Sequence, residues 1–310
     1  MNAVTEFPTV ANTSQLRQIE VEYDADSSTM YWWMKPAPRP SFNLAFLEET
    51  ARFERALEQH QGWMQHQGSQ CRVEYAVFGS RVPGVFNLGG DLSMFVQAIL
   101  RRDRESLTHY GNLCVDNMFR RITGFRSDIQ TFSLVQGKAF GGGFECALSS
   151  DVFVAERSAT FSFPEVLFNM FPGMGALSLL ARKIGMRGAE EIIMSGRVFG
   201  AKEMHDLGVV DVLAEDGAGL DTARAMIQAR QRKRNSFRAM SSAKREFQPV
   251  SHAEMRNVVA VWVDAALRLE NRDLRMMARL VRAQDRLEAR SQDDAMIDAI
   301  CAPREEAMNW

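Results

Sequence analysis

The chain has 310 residues, a formal net charge of −2, 46% hydrophobic residues and 25% charged residues. This balance disfavours a general binder of the nucleic-acid backbone, which needs clustered cations, and no apolar run approaches the ~20 residues of a membrane span. The four cysteines lack paired spacing and the five histidines lie far apart, so we predict a cytoplasmic protein with reduced thiols and no bound metal.

The N-terminal part of the chain predicts a hairpin, a helix and a buried strand. The segment "MNAVTEFPTVANTSQLRQ" is expected to be a frayed leader. "LRQIEVEYD" and "STMYWWMKP" then predict two strands joined by "ADSS". Apolar residues recur with helical periodicity over residues 43–61, and "CRVEYAVFGS" predicts one buried strand. The loop "RVPGVFNLGGD" follows and leads into helices over 91–100 and 104–125.

The next part of the chain continues this alternation of strands and helices. "FSLVQGKAF" predicts one strand, "GGGFECALSSD" opens a helix, and "VFVAER" predicts another strand. Short helices are predicted over residues 173–207, and "GVVDVLAE" is the last predicted strand. Helix is predicted over residues 221–290, with a break near Pro249.

The order of these elements predicts the domain organisation. Strands alternate with helices through the first two-thirds of the chain, which indicates an α/β core over residues 1–215. A helical module is predicted over residues 216–290. The acidic segment 291–310 is expected to be a loosely held tail.

Three consecutive glycines, Gly141 to Gly143, stand just before a glutamate inside an apolar helix. The N–H groups at a helix start favour negative charge, and glycine lets a ligand approach the backbone closely. A reacting carbonyl oxygen can therefore be stabilised here as it gains charge, with Glu145 beside it. The alternative is a helix whose glycines simply pack against a strand. Nucleotide-binding loops are disfavoured, because neither GxGxxG nor GK[ST] is present.

Two further features strengthen the functional interpretation. Gly89 and Gly90 precede Asp91, a good N-cap. Alone this is an ordinary loop-to-helix junction, but an oxyanion hole needs two convergent N–H donors. Glu165 follows Pro164 in the aromatic stretch "FSFPEVLFNMFPGMG", where burial would raise its pKa and suit it to proton transfer. The alternative is a common helix-start glutamate after proline.

The segments "FNLGGDL", "VQGKAFGGGFECALSSDVFVAE", "FPEV" and "PGMGALSLLARKIG", in that order, resemble the crotonase (enoyl-CoA hydratase/isomerase) superfamily from about residue 73 to 213. This resemblance implies an α/β fold, a crotonase-like spiral of β-β-α units with a C-terminal helical trimerisation module. Nearly the whole chain, including "VWVDAALRLENRDLRMMARLVRAQDR", is similar to the diffusible signal factor synthases of bacteria.

The closer resemblance implies dehydration of a medium-chain 3-hydroxyacyl thioester, on acyl carrier protein or CoA, to the cis-2-enoyl form. Thioester hydrolysis would then release a cis-2-unsaturated fatty acid that serves as a quorum-sensing signal. The resemblance implies no cofactor, a homotrimer or dimer of trimers, and contact with a signalling sensor. Two alternatives are an enoyl-CoA hydratase of fatty-acid metabolism and a non-catalytic, acyl-binding regulatory protein.

Carried over residue by residue, Glu145 and Glu165 match the two catalytic glutamates, and Gly90 and Gly142 match the two oxyanion-hole positions. Further substrate contacts are predicted at Gly89, Gly141, Phe144, Leu167, Met170, Phe171 and Trp262. The chain departs from the hydratase pattern, since "FNMFPGMG" replaces a "GLIPG"-like turn and "LGGD" replaces "AGAD". These departures favour a specialised acyl substrate over β-oxidation.

Overall fold

The computed structural model describes residues 16–282 of the chain. Its strands form a six-stranded sheet, a four-stranded sheet and a separate two-stranded hairpin. In chain order the elements are β1 (Ile19–Asp24), β2 (Thr29–Met34), α1 (Leu44–Gln59), β3 (Trp63–His66), β4 (Ser69–Arg72), β5 (Tyr75–Ser80), β6 (Val85–Asn87), α2 (Leu92–Leu100), α3 (Arg104–Ile122), β7 (Gln130–Val135), β8 (Lys138–Phe140), α4 (Gly142–Leu148), β9 (Val152–Glu156), β10 (Thr160–Ser162), α5 (Ala176–Ser195), β11 (Phe199–Gly200), α6 (Ala201–Asp206), β12 (Val212–Ala214), α7 (Gly219–Gln231), α8 (Arg234–Phe247) and α9 (His252–Ala266).

Three β-β-α units build the core and confirm the predicted spiral. In each unit, a strand of the six-stranded sheet is followed by a strand of the four-stranded sheet and then by helix: β5–β6–α2, β7–β8–α4 and β9–β10–α5. Strands of successive units pair in parallel within each sheet. Every residue of β7 and β9 is buried, as expected for parallel strands covered on both faces.

The N-terminal elements agree with the sequence. The predicted hairpin forms between β1 and β2, with Ile19 paired to Met34. The predicted helix α1 begins after Asn43, whose side chain accepts a hydrogen bond from the Phe46 amide at 2.8 Å. Asp91 caps α2 in the same way through the amide of Met94. These caps satisfy amides that a helix start leaves without intrahelical partners.

The prediction of single strands is wrong at two places. The segment 71–80 divides between β4, in the separate hairpin, and β5, in the six-stranded sheet. "FSLVQGKAF" likewise divides between β7 and β8, which belong to different sheets. The predicted loop before Asp91 contains a further strand, β6. Strand β4 pairs with β3 directly before it. Strands β5, β6, β7 and β8 pair with strands far along the chain, which a local hydrophobic pattern does not encode.

The C-terminal part is helical, as predicted, and includes helical residues 271–282 after α9. The predicted break near Pro249 separates α8 from α9. Helix α9 packs against α3 and buries Trp262, while Val261 on its other side is 57% exposed. The trimer contact and the domain boundaries stay predictions, and the tail 291–310 lies outside the described residues. Within residues 16–282, no helix has the length and apolar character needed to cross a membrane.

Candidate active site

The glycine run of the sequence forms the turn between β8 and α4. Gly141 is the N-cap of α4 and has a φ of 51° and a ψ of −125°, a backbone conformation that favours glycine. A side chain here would bring its Cβ within 2.5 Å of the Glu165 Oε1 atom. Glycine is therefore required twice, by the backbone conformation and by the closeness of a carboxyl group.

Glu145 lies in the first turn of α4, with only 1% of its surface exposed. Its Oε1 atom accepts hydrogen bonds from the amides of Met174 at 2.9 Å and Ala176 at 3.0 Å. Burial raises the pKa of Glu145 to about 7, and the amide hydrogen bonds oppose that rise. The carboxyl group therefore changes its protonation state near neutrality.

Glu165 lies in the 3-10 turn Pro164–Phe168, directly after β10. The residue as a whole is partly exposed, but its Oε2 atom is shielded from solvent and has no hydrogen-bond partner among residues 16–282. Burial raises the pKa of Glu165 to about 8, and the nearby charge of Glu145 contributes to this rise. The two carboxyl groups therefore influence each other's protonation.

Both carboxyl groups line a single, largely apolar cavity. Gly90 and Gly142, the two predicted oxyanion-hole residues, line it as well. Its walls include the large apolar side chains of Phe46, Phe95, Phe168, Met170, Trp262 and Met277. The structure thus brings together the four residues to which the sequence assigned the chemistry.

The two glycine turns lie against each other. Gly89 has a φ of 94°, and a Cβ on it would lie 2.8 Å from the Phe140 carbonyl oxygen and 3.1 Å from the Gly142 nitrogen. The Asn87 side chain fixes the first turn by accepting a hydrogen bond from the Gly89 amide at 2.8 Å. Among residues 16–282, no protein acceptor takes a hydrogen bond from the amide of Gly90 or Gly142. Both residues line the cavity, so two backbone donors without a protein acceptor belong to its wall.

Tyr110 of α3 also lines the cavity, and sequence reasoning missed it. Its hydroxyl donates a hydrogen bond to the Phe42 carbonyl at 2.5 Å and accepts one from the Asp91 amide at 3.3 Å. It thereby joins the segment before α1 to the residue that follows Gly90. A lone tyrosine in an amphipathic helix carries no sequence signal for this role.

The structure places the other predicted contacts in three groups. Met170 and Trp262 line the cavity. Gly89 and Gly141 belong to the turns behind Gly90 and Gly142. Three residues lie away from the cavity lining: Phe144, Leu167 and Phe171.

Each of the three has a physical reason for its position. Neighbouring residues on a helix point about 100° apart, so Phe144 points away from Glu145 and stacks on Phe163 with ring centres 4.7 Å apart. Leu167 is 52% exposed on the outer side of its turn. Phe171 is half-buried against the main hydrophobic core.

Comparison with known families gives a match over most of the chain. The Enoyl-CoA hydratase/isomerase family matches residues 58–263. Among curated proteins, the chain is similar to the probable enoyl-CoA hydratase 2, mitochondrial, of Arabidopsis thaliana. The two are 30% identical over 165 residues, which cover 53% of this chain and 51% of that protein. The chain spans about half the length of the curated relatives it matches.

Solved structures share the fold at low sequence identity. The enoyl-CoA hydratase from Bacillus halodurans has a TM-score of 0.67 and 20% identity, covering 84% of this chain and 99% of that one. Pseudomonas aeruginosa DspI has a TM-score of 0.57 and 18% identity, covering 93% of this chain and 97% of that one. The likeness extends through the C-terminal helices in the case of DspI, since nearly all of this chain is covered.

Proposed function

The chain belongs to the enoyl-CoA hydratase/isomerase family, and from this premise we propose a specific reaction. The protein dehydrates a medium-chain 3-hydroxyacyl thioester, carried on acyl carrier protein or CoA, to the cis-2-enoyl thioester. It then hydrolyses the thioester and releases a cis-2-unsaturated fatty acid that acts as a quorum-sensing signal. The pair of carboxyl groups with raised pKa values, Glu145 and Glu165, in one apolar cavity is the observation that carries this proposal.

The glycine turns support the first step, removal of a proton from the carbon next to the thioester carbonyl. The carbonyl oxygen sits between the amides of Gly90 and Gly142, which donate hydrogen bonds to it. Negative charge moves onto this oxygen as the proton leaves, and preorganised donors in a water-poor site stabilise that charge strongly. The adjacent proton becomes removable for this reason.

The carboxyl pair supports the two proton transfers that dehydration requires. One carboxylate must accept the α-proton while a second carboxyl group donates a proton to the departing 3-hydroxyl. With pKa values of about 7 and about 8, the pair carries a single proton between these values. One group is then ready to accept a proton while the other is ready to donate. Water leaves as the product of this step.

Thioester hydrolysis reuses the same groups. After dehydration, a carboxylate of the pair activates a water molecule for attack on the thioester carbon, and the amides of Gly90 and Gly142 stabilise the resulting oxyanion. The carbon–sulfur bond then breaks, the thiol carrier leaves with a proton, and the free acid remains. No cofactor is needed for either step.

The shape of the cavity supports an acyl chain as the substrate. Phe168 and Met170, from the turn that departs from the hydratase pattern, share the lining with Trp262, Leu269 and Met277 of the C-terminal part. Apolar walls of this kind suit an alkyl chain. Because the chain's own C-terminal residues supply part of the wall, this part completes the proposed acyl site.

A second candidate is an ordinary enoyl-CoA hydratase, which adds water reversibly to a trans-2-enoyl-CoA. The family match over residues 58–263, which includes both glutamates, and the similarity to a curated hydratase favour it. Both candidates use the same carboxyl pair, so they differ in substrate and in whether a free acid is released.

Mass spectrometry of the products separates the candidates. The purified protein is given 3-hydroxydodecanoyl thioesters on acyl carrier protein and on CoA, with Glu145→Ala as the inactive control. A free cis-2-enoic acid that appears only with the intact protein supports the signal synthase. Reversible hydration of trans-2-enoyl-CoA alone contradicts it in favour of the hydratase, and the absence of any turnover leaves an acyl-binding regulatory protein.

A further inference from the structure

Helices α1 and α3 flank the cavity and define its two ends. At one end the Tyr110 hydroxyl contacts the Phe42 carbonyl at 2.5 Å, beside Gly90. At the other end Arg121 of α3 forms an ion pair with Glu54 of α1 at 2.7 Å. At 1.5 Å per residue, Tyr110 and Arg121 are separated by about 16 Å along α3. The two contacts therefore mark separate ends of the cavity wall formed by α1 and α3, and we call the end at Arg121 the distal end.

This distal end is polar, unlike most of the wall. Thr50, Asn117 and Arg121 all line the cavity there. Their exposed fractions are 1%, 4% and 3%, so none of them reaches bulk solvent. A polar terminus is costly to bury inside an acyl pocket unless its groups are hydrogen-bonded.

Several polar atoms at this end have no protein partner. Within residues 16–282, the buried atoms Thr50 Oγ1, Glu54 Oε2 and Trp32 Nε1 all lack a hydrogen bond. Thr50 and Glu54 are one turn apart on α1, and the Trp32 ring lies 4.6 Å from the Arg121 guanidinium carbon. Buried polar groups in native proteins are normally paired. Of these three residues only Thr50 lines the cavity, so its hydroxyl is the unpaired group that a molecule entering the distal end meets.

The charges at the distal end are already balanced. Arg121 binds Glu54 and also donates a hydrogen bond to the Cys146 sulfur at 2.9 Å. A ligand carboxylate or ammonium there would be an uncompensated buried charge, which is strongly unfavourable. A hydroxyl group is neutral and can both donate and accept a hydrogen bond. It is the group whose chemistry fits the unpaired Thr50 hydroxyl.

We propose that Thr50, together with the Arg121–Glu54 pair, forms a distal subsite that binds a neutral hydroxyl group near the ω end of the acyl chain. The subsite rests on the proposed function, because it requires an acyl chain whose thioester lies at Gly90 and Gly142. It selects hydroxylated chains of a length that reaches from those glycines to Thr50. A plain alkyl end of the same length leaves the Thr50 hydroxyl unpaired.

Calorimetric binding of free fatty acids tests this subsite without requiring turnover. The probes are matched pairs, from octanoic to tetradecanoic acid, each with and without an ω-hydroxyl. The proteins are wild type, Thr50→Val, which removes the hydroxyl at nearly constant volume, and Thr50→Ser, which keeps it.

We expect wild type to bind the ω-hydroxy acid at least as tightly as the plain acid at the fitting length. Thr50→Val should shift the ratio about tenfold against the hydroxy acid, the effect of one hydrogen bond, and Thr50→Ser should restore it.

The other outcomes overturn the subsite in distinguishable ways. If wild type disfavours the hydroxyl at every length, or if Thr50→Val leaves the ratio unchanged, the polar end holds only water. Turnover of plain 3-hydroxyacyl thioesters in the same preparation would then leave the proposed reaction standing. If neither acid binds and no thioester is turned over, both the subsite and the proposed function fail.

Discussion

Two pairs of ionisable residues lie at the cavity. One pair carries opposite charges, and the other consists of two acidic residues. Arg121 and Glu54 carry opposite charges, 2.7 Å apart, and neutralise each other. Burial raises the pKa of Glu54, but the charge of Arg121 opposes that rise. Glu145 and Glu165 would carry like charges, and burial raises the pKa of both. In the first pair, each charge is compensated by its partner. In the second pair, a bound proton reduces the buried negative charge. Only the second arrangement leaves a proton that can be transferred, which is why we assign the chemistry to it.

Removing one member of the like-charge pair should have the largest effect. Glu145→Gln and Glu165→Gln each remove a proton acceptor or donor, so we expect kcat/KM for dehydration to fall about 10²- to 10⁴-fold. The thermal midpoint should change little, because a buried acid is replaced by a neutral group of the same shape. Steady-state kinetics and thermal unfolding measure the two quantities.

Glu49 provides a matched control for this prediction. Its buried carboxylate accepts hydrogen bonds from the amides of Gln18 and Ile19 and does not line the cavity. Glu49→Gln should therefore keep its turnover while losing stability. Normal kcat/KM in either cavity variant, or lost activity in the control, would contradict the assignment.

Breaking the opposite-charge pair should instead cost stability. Arg121→Met leaves Glu54 buried without its partner, and such a loss typically destabilises by about 3–5 kcal/mol. The double variant Arg121→Met with Glu54→Leu removes both charges and should recover most of that free energy. Urea denaturation of the three proteins measures it. A double variant as unstable as the single variant would show that packing, not charge, dominates at this pair.

Sequence alone located the like-charge pair and missed the opposite-charge pair, for a physical reason. Glu145 and Glu165 each stand in a short stretch whose local chemistry is costly, next to glycines or among aromatic residues, so the signal is local. Thr50, Glu54 and Arg121 sit in ordinary amphipathic helices. Their significance arises only when α1 packs on α3, and no local pattern specifies that contact.

The same limit explains the errors in the fold. The alternation of strands and helices was enough to predict the α/β core and the C-terminal helices, whereas the spiral was implied by the resemblance to the crotonase superfamily. The division of "FSLVQGKAF" was missed because β7 and β8 pair with different sheets only after distant strands are in place. Phe144 was predicted to contact the substrate, but adjacent helical residues face different directions, and its neighbour Glu145 lines the cavity in its place.

Raising the pH should destabilise the protein through the like-charge pair. The pKa of Glu165 is about 8 in the folded chain against a reference of 4.5, so the folded state binds this proton more tightly than the unfolded state. The stabilisation is present below the unfolded value and is lost as the pH rises through the folded value. Glutamine buries an amide but does not ionise, so its contribution is the same at both pH values. We therefore expect the free energy of unfolding of Glu165→Gln, relative to wild type, to rise by about 2 kcal/mol between pH 6 and pH 9.

Chemical denaturation at the two pH values measures this difference. An identical pH dependence in wild type and Glu165→Gln would mean that Glu165 already ionises freely in the folded chain.

The pH dependence of turnover should be bell-shaped. Below about 7 both carboxyl groups are protonated and the base is missing, whereas above about 8 both are ionised and the acid is missing. We expect kcat/KM to peak between these values and to fall about tenfold for each further pH unit on either side. A profile that is flat from pH 5 to pH 10 would contradict the two-carboxyl mechanism.

The smallest expected effect concerns Tyr110. It lies on α3, as Arg121 does, but at the end of the cavity next to Gly90. Its hydroxyl holds Phe42 and Asp91 beside Gly90 without any charge. Tyr110→Phe should therefore cost only about 1 kcal/mol of stability, while lowering kcat several-fold with KM nearly unchanged, because the Gly90 amide is less well oriented towards the developing oxyanion.

Tyr23→Phe is the matched control, because it removes a comparable hydrogen bond to the Arg72 carbonyl, at 2.9 Å, away from the cavity. If both variants lose the same stability but only Tyr110→Phe has a lower kcat, Tyr110 positions the site beyond its contribution to folding. If both variants have the same kcat, Tyr110 has no role in the site.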